Sequence, residues 1–425
     1  MARYLPDLGY EPVVLTAPRP AEERWTPTDN SLGSGLPPHT IVRRIPGPEP
    51  PSSTGWRHRA ERWLRLRDPW TRSWVEASTS AGIEAARELD VDLVYAWMQP
   101  YHSAEAAMRI ARAIDRPWVA DLGDPWALDE MMIYPSGLHR RLELRLMRRL
   151  LGTASAIVMS TPEAERRIRA AFPELEDKIV LTIPNGFDAT EFLGEPPART
   201  DGAFRIVHTG YLHTELGQHQ RRSALLRRLL GGAVEGVDIL GRSHVFLIEA
   251  VERIRREYPE LGRRIEVYFA GVLSSRDLAV ARRSPATRTL GFLAHDESLK
   301  LARSADLLFL PMHDLPEGTR ATVVPSKTYE YLASGRPILA AVPDGDARDL
   351  LAAAGTALLC RPKDVDGIVA AIVKAYERSL SGRPTPSPAA ELLSRYDYRN
   401  LAHELAWVFD QLVGVPEPAE LSAAL

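Results

Sequence analysis

The chain has 425 residues, too many for one ordinary hydrophobic core and suited to two domains of roughly 150–200 residues each. Hydrophobic residues at 45%, charged residues at 26% and aromatics at 7% match soluble globular proteins, which excludes a disordered, collagenous or coiled-coil chain. With 53 basic against 56 acidic side chains the formal charge is -3, so no global field favours nucleic acid and no such partner is expected.

Residues 1–9 read as the end of an amphipathic helix, with Tyr4, Leu5 and Leu8 on its apolar side, running straight into a strand at 12–16. A parallel unit needs a strand before such a helix, so the first strand and its loop are expected to be missing. Pro6, Asp7 and Gly9 interrupt any apolar stretch of the signal-peptide kind. Further strands are expected at 40–45, 92–96, 118–121, 156–160 and 179–183. A second series follows at 205–209, 265–270, 287–291, 306–311, 338–342 and 357–359, with helical patterns between. Such alternation predicts an α/β chain of two Rossmann-like domains built on parallel sheets.

Between the two series the stretch 195–202 has linker composition, Glu-Pro-Pro-Ala-Arg-Thr-Asp-Gly. A basic helical segment at 221–230 looks like an insertion, and after a proline-rich stretch at 381–387 a helix is expected over 392–413. The longest apolar runs, such as 305–312, fall far short of the roughly 18 residues that span a bilayer. The single cysteine, Cys360, excludes an internal disulfide and multi-thiolate metal sites, which fits a reducing cytosol.

Ligands of open parallel sheets bind beyond the carboxyl ends of the strands, where loops and helix N-termini gather. Five segments fall there. They are Asp121-Leu-Gly-Asp124-Pro-Trp126, Ile183-Pro-Asn185-Gly186-Phe-Asp188, His208-Thr-Gly210-Tyr211, Gly291-Phe-Leu-Ala-His295, and the block from Pro325-Ser326-Lys327 through Tyr329-Glu330 to Pro337. Together they resemble the GT-B glycosyltransferases of the family 4, or group 1, type, over nearly the whole chain. The most specific parts are the Asn-Gly turn followed by Asp188 and Phe192, and the block Tyr329-Glu330-Tyr-Leu-Ala-Ser-Gly-Arg-Pro-Ile-Leu-Ala. The Pro117–Asp121 segment is similar to that of members acting in polysaccharide or O-antigen assembly.

The resemblance implies two Rossmann-like domains facing across a cleft, a nucleotide-diphosphate sugar as donor, and transfer with retention to a glycan or lipid-linked acceptor. In the family the glutamate at the place of Glu330 accepts hydrogen bonds from the donor's ribose hydroxyls, a sound use of a charged acceptor. Glu330 at the first turn of a helix is also favoured by the macrodipole alone. Lys327 and Ser326, three and four residues earlier, suit a diphosphate, since an ammonium and free backbone N–H groups supply positive potential where leaving-group charge grows. Gly210 and Tyr211 stand where the family brings backbone amides to phosphate, glycine allowing the approach for want of a Cβ. Gly291 closes a strand on the same side, and Arg242 takes the place of a diphosphate-binding arginine.

On the acceptor side the resemblance makes Asp121 the first catalytic candidate, with His102 second. Asp124, Trp126, Asn185 and Gly186 are expected to line the cleft. Asp124-Pro also reads as a helix cap, the role assigned to Asp124 here. The family's second glutamate, eight residues before Glu330, is replaced by Thr322, with Glu317 and Arg320 as nearby substitutes. Three Asp-x-Asp tripeptides, at 90–92, 344–346 and 364–366, read as a pre-strand pair and two helix caps, so neither a metal nor another cofactor is expected. No Gly-x-Gly-x-x-Gly follows a strand, and no Gly-Lys-Ser/Thr occurs.

Residues 56–74 hold six arginines and four tryptophans, a composition for contact with an anionic membrane surface or for a solvated helix docking its tryptophans on the core. The sequence thus predicts an acceptor domain over 1–200, a donor domain over 201–385 and a helix over 386–425 crossing back. The reading is a cytoplasmic enzyme, peripheral on the inner face of the plasma membrane. The alternative is a non-catalytic GT-B-like subunit that binds a nucleotide sugar or a partner.

Overall fold

The computed structural model describes residues 1–17, 27, 29, 35–46, 60, 63–64, 69–223, 229–381 and 386–414. Most of the arginine and tryptophan segment 56–74 therefore lies outside the described residues. In its described part Trp70 and Trp74 stack with ring centroids 6.1 Å apart, and Trp74 Nε1 donates to Ser103 Oγ at 3.4 Å. Both rings belong to the helix Pro69–Glu88, whose first residue is a proline, the position where a missing N–H costs nothing.

Among the described residues all twelve expected strands form, each within two residues of its expected bounds. They divide between two compact units. One comprises 1–24, 35–184 and 399–425; the other comprises 25–34 and 185–398. The first unit has a parallel pair, β1 (Val13–Thr16) with β2 (Ile41–Arg44), and a four-stranded parallel sheet. That sheet runs in chain order: β3 (Val94–Trp97), β4 (Trp118–Leu122), β5 (Ala156–Met159) and β6 (Ile179–Thr182). β5 is buried on both faces, which is why its sequence is an unbroken apolar run rather than an alternating one. The helix Tyr398–Val413 supplies Phe409, whose ring meets Tyr10 and Tyr95 edge-on.

The second unit has a six-stranded parallel sheet. Its strands are β7 (Phe204–Thr209), β8 (Ile265–Ala270), β9 (Thr287–Gly291), β10 (Leu307–Pro311), β11 (Ile338–Ala341) and β12 (Ala357–Cys360). Their spatial order is β12-β11-β10-β7-β8-β9. The chain starts in the middle at β7, runs outward to β9, then returns to β10 on the other side of β7. The gap between the carboxyl ends of β7 and β10 is therefore the topological switch point, where loops leave in opposite directions and open a crevice.

Three expected elements differ. The helix expected over 392–413 is two helices, Ala390–Ser394 and Tyr398–Val413. Between them Phe187 N–H donates to the Tyr396 carbonyl and Tyr398 N–H to the Phe187 carbonyl, both at 2.9 Å, so that stretch is spent on a parallel bridge. The basic segment at 221–230 begins inside a helix, Thr214–Arg222, and 224–228 lie outside the described residues. The cap expected at 344–346 is Gly345, with φ 143°, and no aspartate side chain caps that helix. Asp346 pairs instead with Arg320 at 2.9 Å. Asp364 does cap its helix, accepting from Gly367 N–H at 2.8 Å. No described helix is long and apolar enough to cross a membrane.

Candidate functional site

The switch point of the second sheet brings together Gly210, Arg242, Lys327 and Glu330, four of the residues expected to bind a donor. Each strand end delivers its residue for a local reason. β7 is buried almost throughout and stops at Gly210, whose φ of 102° is natural only to glycine. A Cβ there would stand 2.8 Å from Lys327 Nζ, so the missing side chain is the slot that the ammonium occupies. The Gly210 N–H itself donates to the Ala270 carbonyl at 2.7 Å. This corrects the expected role: the Gly210 amide is engaged in the sheet, and the glycine serves the site by admitting Lys327. Tyr211, next in the chain, has an exposed side chain.

Lys327 opens the helix Lys327–Ala333, which follows Pro325 and Ser326. The helix has seven residues and Ser326 makes no side-chain cap, so its dipole is short and the expected helix-terminus site reduces to the lysine. Lys327 Nζ donates to the Thr209 carbonyl at 2.5 Å and approaches His208 Nε2 at 3.4 Å. His208 is fully buried, and its Nδ1 lies 2.9 Å from the Phe309 carbonyl. A carbonyl can only accept, so Nδ1 carries the hydrogen and Nε2 offers its lone pair to the lysine. Burial, reinforced by the Lys327 charge, holds the His208 imidazole neutral. Tyr331, on the same helix, fixes the strand end by accepting from Thr209 N–H at 3.0 Å.

Arg242 ends the 3-10 turn Ile239–Arg242, and its carbonyl accepts from His213 N–H at 2.9 Å. Its charge reaches both Lys327 and His213. Burial, then Arg242, bring the Lys327 amine down to about 7, with Glu330 opposing. Burial, then Arg242 and Lys327, push His213 down to about 3. The structure therefore does bring Arg242, Lys327 and Gly210 together, as expected, and adds two neutral histidines that were not assigned.

Glu330 lies one turn after Lys327, on the same side of the helix. Burial raises its carboxyl, and the Glu191 charge adds to the effect, while His295 and Lys327 work against it. His295 begins the helix His295–Arg303, just after Gly291 closes β9 with φ 71°. Its Nε2 pairs with Glu191 Oε2 at 3.0 Å and its N–H donates to Asp29 Oδ2 at 2.7 Å. Bonding to Glu191 raises the imidazole, with Glu330 and Asp29 adding to it. Glu191 comes from the turn Ala189–Phe192, which Asp188 caps by accepting from Thr190 N–H at 3.0 Å. Gly186, expected to line a cleft, is buried and hydrogen-bonds the Tyr398 phenol through its backbone, while Asn185 beside it is half-buried.

The residues at and near the place of the family's second glutamate differ in their surroundings. Arg320 is held by Asp346 and Asp349 at 2.9 and 2.6 Å, Glu317 is exposed, and Thr322 is fully buried. No group of three or more His, Cys, Asp or Glu among the described residues is arranged to hold a metal ion.

In the first unit Asp121 stands at the carboxyl edge of β4, opposite Trp97. The Tyr95 O–H donates to its carboxylate, and burial pushes the Asp121 carboxyl up to about 6. His102 precedes the helix Ser103–Ile114 without capping it, and is half-buried. Two expectations fail here. Asp124 does not stand at a helix cap position: a short 3-10 turn, Trp126–Leu128, follows, and its cap position is Pro125. Trp126 lines no opening, because it is 2% exposed, has φ 49°, and stacks on Tyr101 with centroids 5.1 Å apart.

Sequence reasoning left His295, Glu191, His208 and His213 without roles. No fixed offset joins Glu191 to His295, which are 104 residues apart and meet only through the fold. A histidine closing each of two strand ends on the binding edge was the available signal.

Two family models match the chain. Residues 1–186 match the family described as "Glycosyl transferase 4-like domain", and 239–378 match "Glycosyl transferases group 1". The glycogen synthase of Mycobacterium tuberculosis is 26% identical over 233 residues, 54% of this chain and 48% of that protein, so the match spans about half the length of the curated relative. Among solved structures, Anabaena Alr3699/HepE in complex with UDP and glucose superposes with a TM-score of 0.56 at 17% identity, covering 90% of this chain and 88% of that one. A glycosyltransferase from Rickettsia africae gives a TM-score of 0.60 at 10% identity over 98% and 93%. At such identities these likenesses speak to fold, which is GT-B. The two family matches together take in about three quarters of the residues, and the chain belongs to the group 1, family 4 type of GT-B glycosyltransferases.

Proposed function

We propose that this protein is a glycosyltransferase moving a sugar from a nucleoside-diphosphate sugar to a glycan or lipid-linked acceptor, with retention, in cell-surface polysaccharide assembly. One observation carries the reading: Lys327 and Glu330 stand one helical turn apart at the switch point of the second sheet, with the Arg242 charge reaching Lys327. A cation pair suits a diphosphate, and a carboxylate beside it suits the two vicinal hydroxyls of a ribose.

The chemistry follows from charge. As the bond from the sugar to the phosphate breaks, positive charge grows on the sugar and negative charge on the leaving oxygen. Lys327 and Arg242, set in a site screened from water, stabilise that leaving group more in the transition state than in the ground state. The acceptor hydroxyl attacks from the face the phosphate leaves, and the departing phosphate takes its proton, so no enzymic nucleophile is required. Asp121 and His102 are proposed to serve the acceptor. The HepE structures hold UDP and UDP-glucose, which makes uridine donors the first to try.

The test is donor turnover by wild type and Glu330→Ala, followed as release of UDP from UDP-glucose and as nucleotide release from GDP-, ADP- and dTDP-sugars. Loss of charge-assisted hydrogen bonds costs about 1.5–3 kcal/mol, so kcat/KM is expected to fall roughly 10- to 150-fold. Equal and negligible turnover by both proteins would favour a subunit that only binds.

A further inference from the structure

Lys327 is a basic group with no acidic partner in direct contact, and Glu330 one turn on offsets its charge only from a distance. Among the described residues it makes no ion pair, and its two identified partners, the Thr209 carbonyl at 2.5 Å and His208 Nε2 at 3.4 Å, are both neutral acceptors. An ammonium has three N–H groups and a neutral amine has two plus a lone pair. Two acceptors take up both N–H groups of the amine. They leave the ammonium one N–H short, with no acidic group bonded to it.

The surroundings point the same way. His208 on β7 is locked with Nδ1 on the Phe309 carbonyl, so it can accept from the lysine but cannot offset a charge. Arg242 and His213 face the amine from the turn Ile239–Arg242 and from the start of the helix Thr214–Arg222, and Arg242 repels a second cation. Glu330, on the lysine's own helix, is the one titrating group that works in the opposite sense. The Gly210 slot holds Nζ in place, so the amine meets its ligand where it stands.

We infer that a nucleoside diphosphate binds this chain together with one proton, taken from the solvent and carried on Lys327 Nζ. The inference rests on the donor-site reading above. The step balances: the lone pair of the amine accepts a proton from a buffer acid, which becomes its conjugate base, and a phosphate oxygen receives the third N–H. Burial and Arg242 place the free amine at about 7, so at pH 8 it starts mostly neutral. The bound diphosphate then supplies both the missing acceptor and an acidic group in direct contact.

Isothermal titration of the full chain with UDP, GDP, ADP and dTDP at pH 8, in phosphate, HEPES and Tris, measures the proton directly. At that pH the terminal phosphate of each ligand is already ionised and releases nothing. For whichever nucleotide binds, the dependence of enthalpy on buffer ionisation should report close to one proton taken up. Affinity should weaken by roughly tenfold per pH unit above neutrality. Lys327→Arg, charged throughout, should show no uptake and a flat affinity between pH 7.5 and 8.5. Tight binding without uptake in the wild type overturns the inference and leaves the donor site standing. Uptake unchanged in Lys327→Arg also overturns it, by moving the proton to His213 or elsewhere. Failure of the wild type to bind any of the four overturns the donor-site reading itself. The wild-type pH series decides the matter even if the arginine variant does not fold.

Discussion

Burial pushes the Asp121 carboxyl up to about 6 although the Tyr95 O–H donates to it. Its value in the native state exceeds that of an ordinary aspartate, so the folded chain holds this proton more tightly than the unfolded chain does. Stability from the group is complete below the ordinary carboxylate range and is lost as the pH rises through about 6. Asp121→Asn keeps an acceptor for Tyr95 and removes the charge. It should therefore stabilise the protein at pH 7.5 by up to about 3 kcal/mol, with the gain vanishing near pH 4, as read by denaturant midpoints at the two values. If Asp121 also serves the acceptor, the same variant should be more stable and less active. At this scale the sequence was legible wherever chemistry is packed into a short block. Lys327 and Glu330 share one helix and Gly210 ends one strand. Trp126 and Gly186 read as cleft residues, because nothing in a local pattern tells an edge residue that points outward from one that turns into the core.

Asp364 shows how an element is held at its end. Its side chain accepts from Gly367 N–H, and the helix Val365–Leu380 that it starts packs on Val245–Glu257 beneath the second sheet. Asp364→Ala should cost about 1 kcal/mol, measured as a shift of the urea midpoint with an unchanged slope. The strands were the most readable elements. β5 and β10 are short apolar runs, a pattern that burial on both faces imposes directly on composition. Helix ends were less readable. The pattern over 392–413 is continuous in the sequence, and the break arises because Phe187, about two hundred residues away, claims the backbone at Tyr396 and Tyr398. Such a contact leaves no mark in the local spacing of apolar side chains.

The whole molecule consists of two compact units, and the residues proposed to hold the donor, Gly210, Arg242, Lys327 and Glu330, all fall in the one that comprises 25–34 and 185–398. A nucleotide held there stabilises the state that binds it. At one hundred times its dissociation constant the gain is about 2.7 kcal/mol. In calorimetry a saturating nucleoside diphosphate should raise the melting temperature. Where the units unfold in separate transitions, only the one belonging to 185–398 should move, and Glu330→Ala should abolish the shift.

The first unit closes with residues from far along the chain: Phe409, in the helix Tyr398–Val413, covers Tyr10 and Tyr95. During synthesis the polypeptide leaves the ribosome from its amino end, so Tyr10, just before β1, and Tyr95, in β3, emerge bare and wait for more than three hundred further residues. The second unit can complete itself in the meantime. Early termination anywhere before position 398 would thus deprive the opening segment of its cover, and a fragment ending after β6 is a poor candidate for autonomous folding.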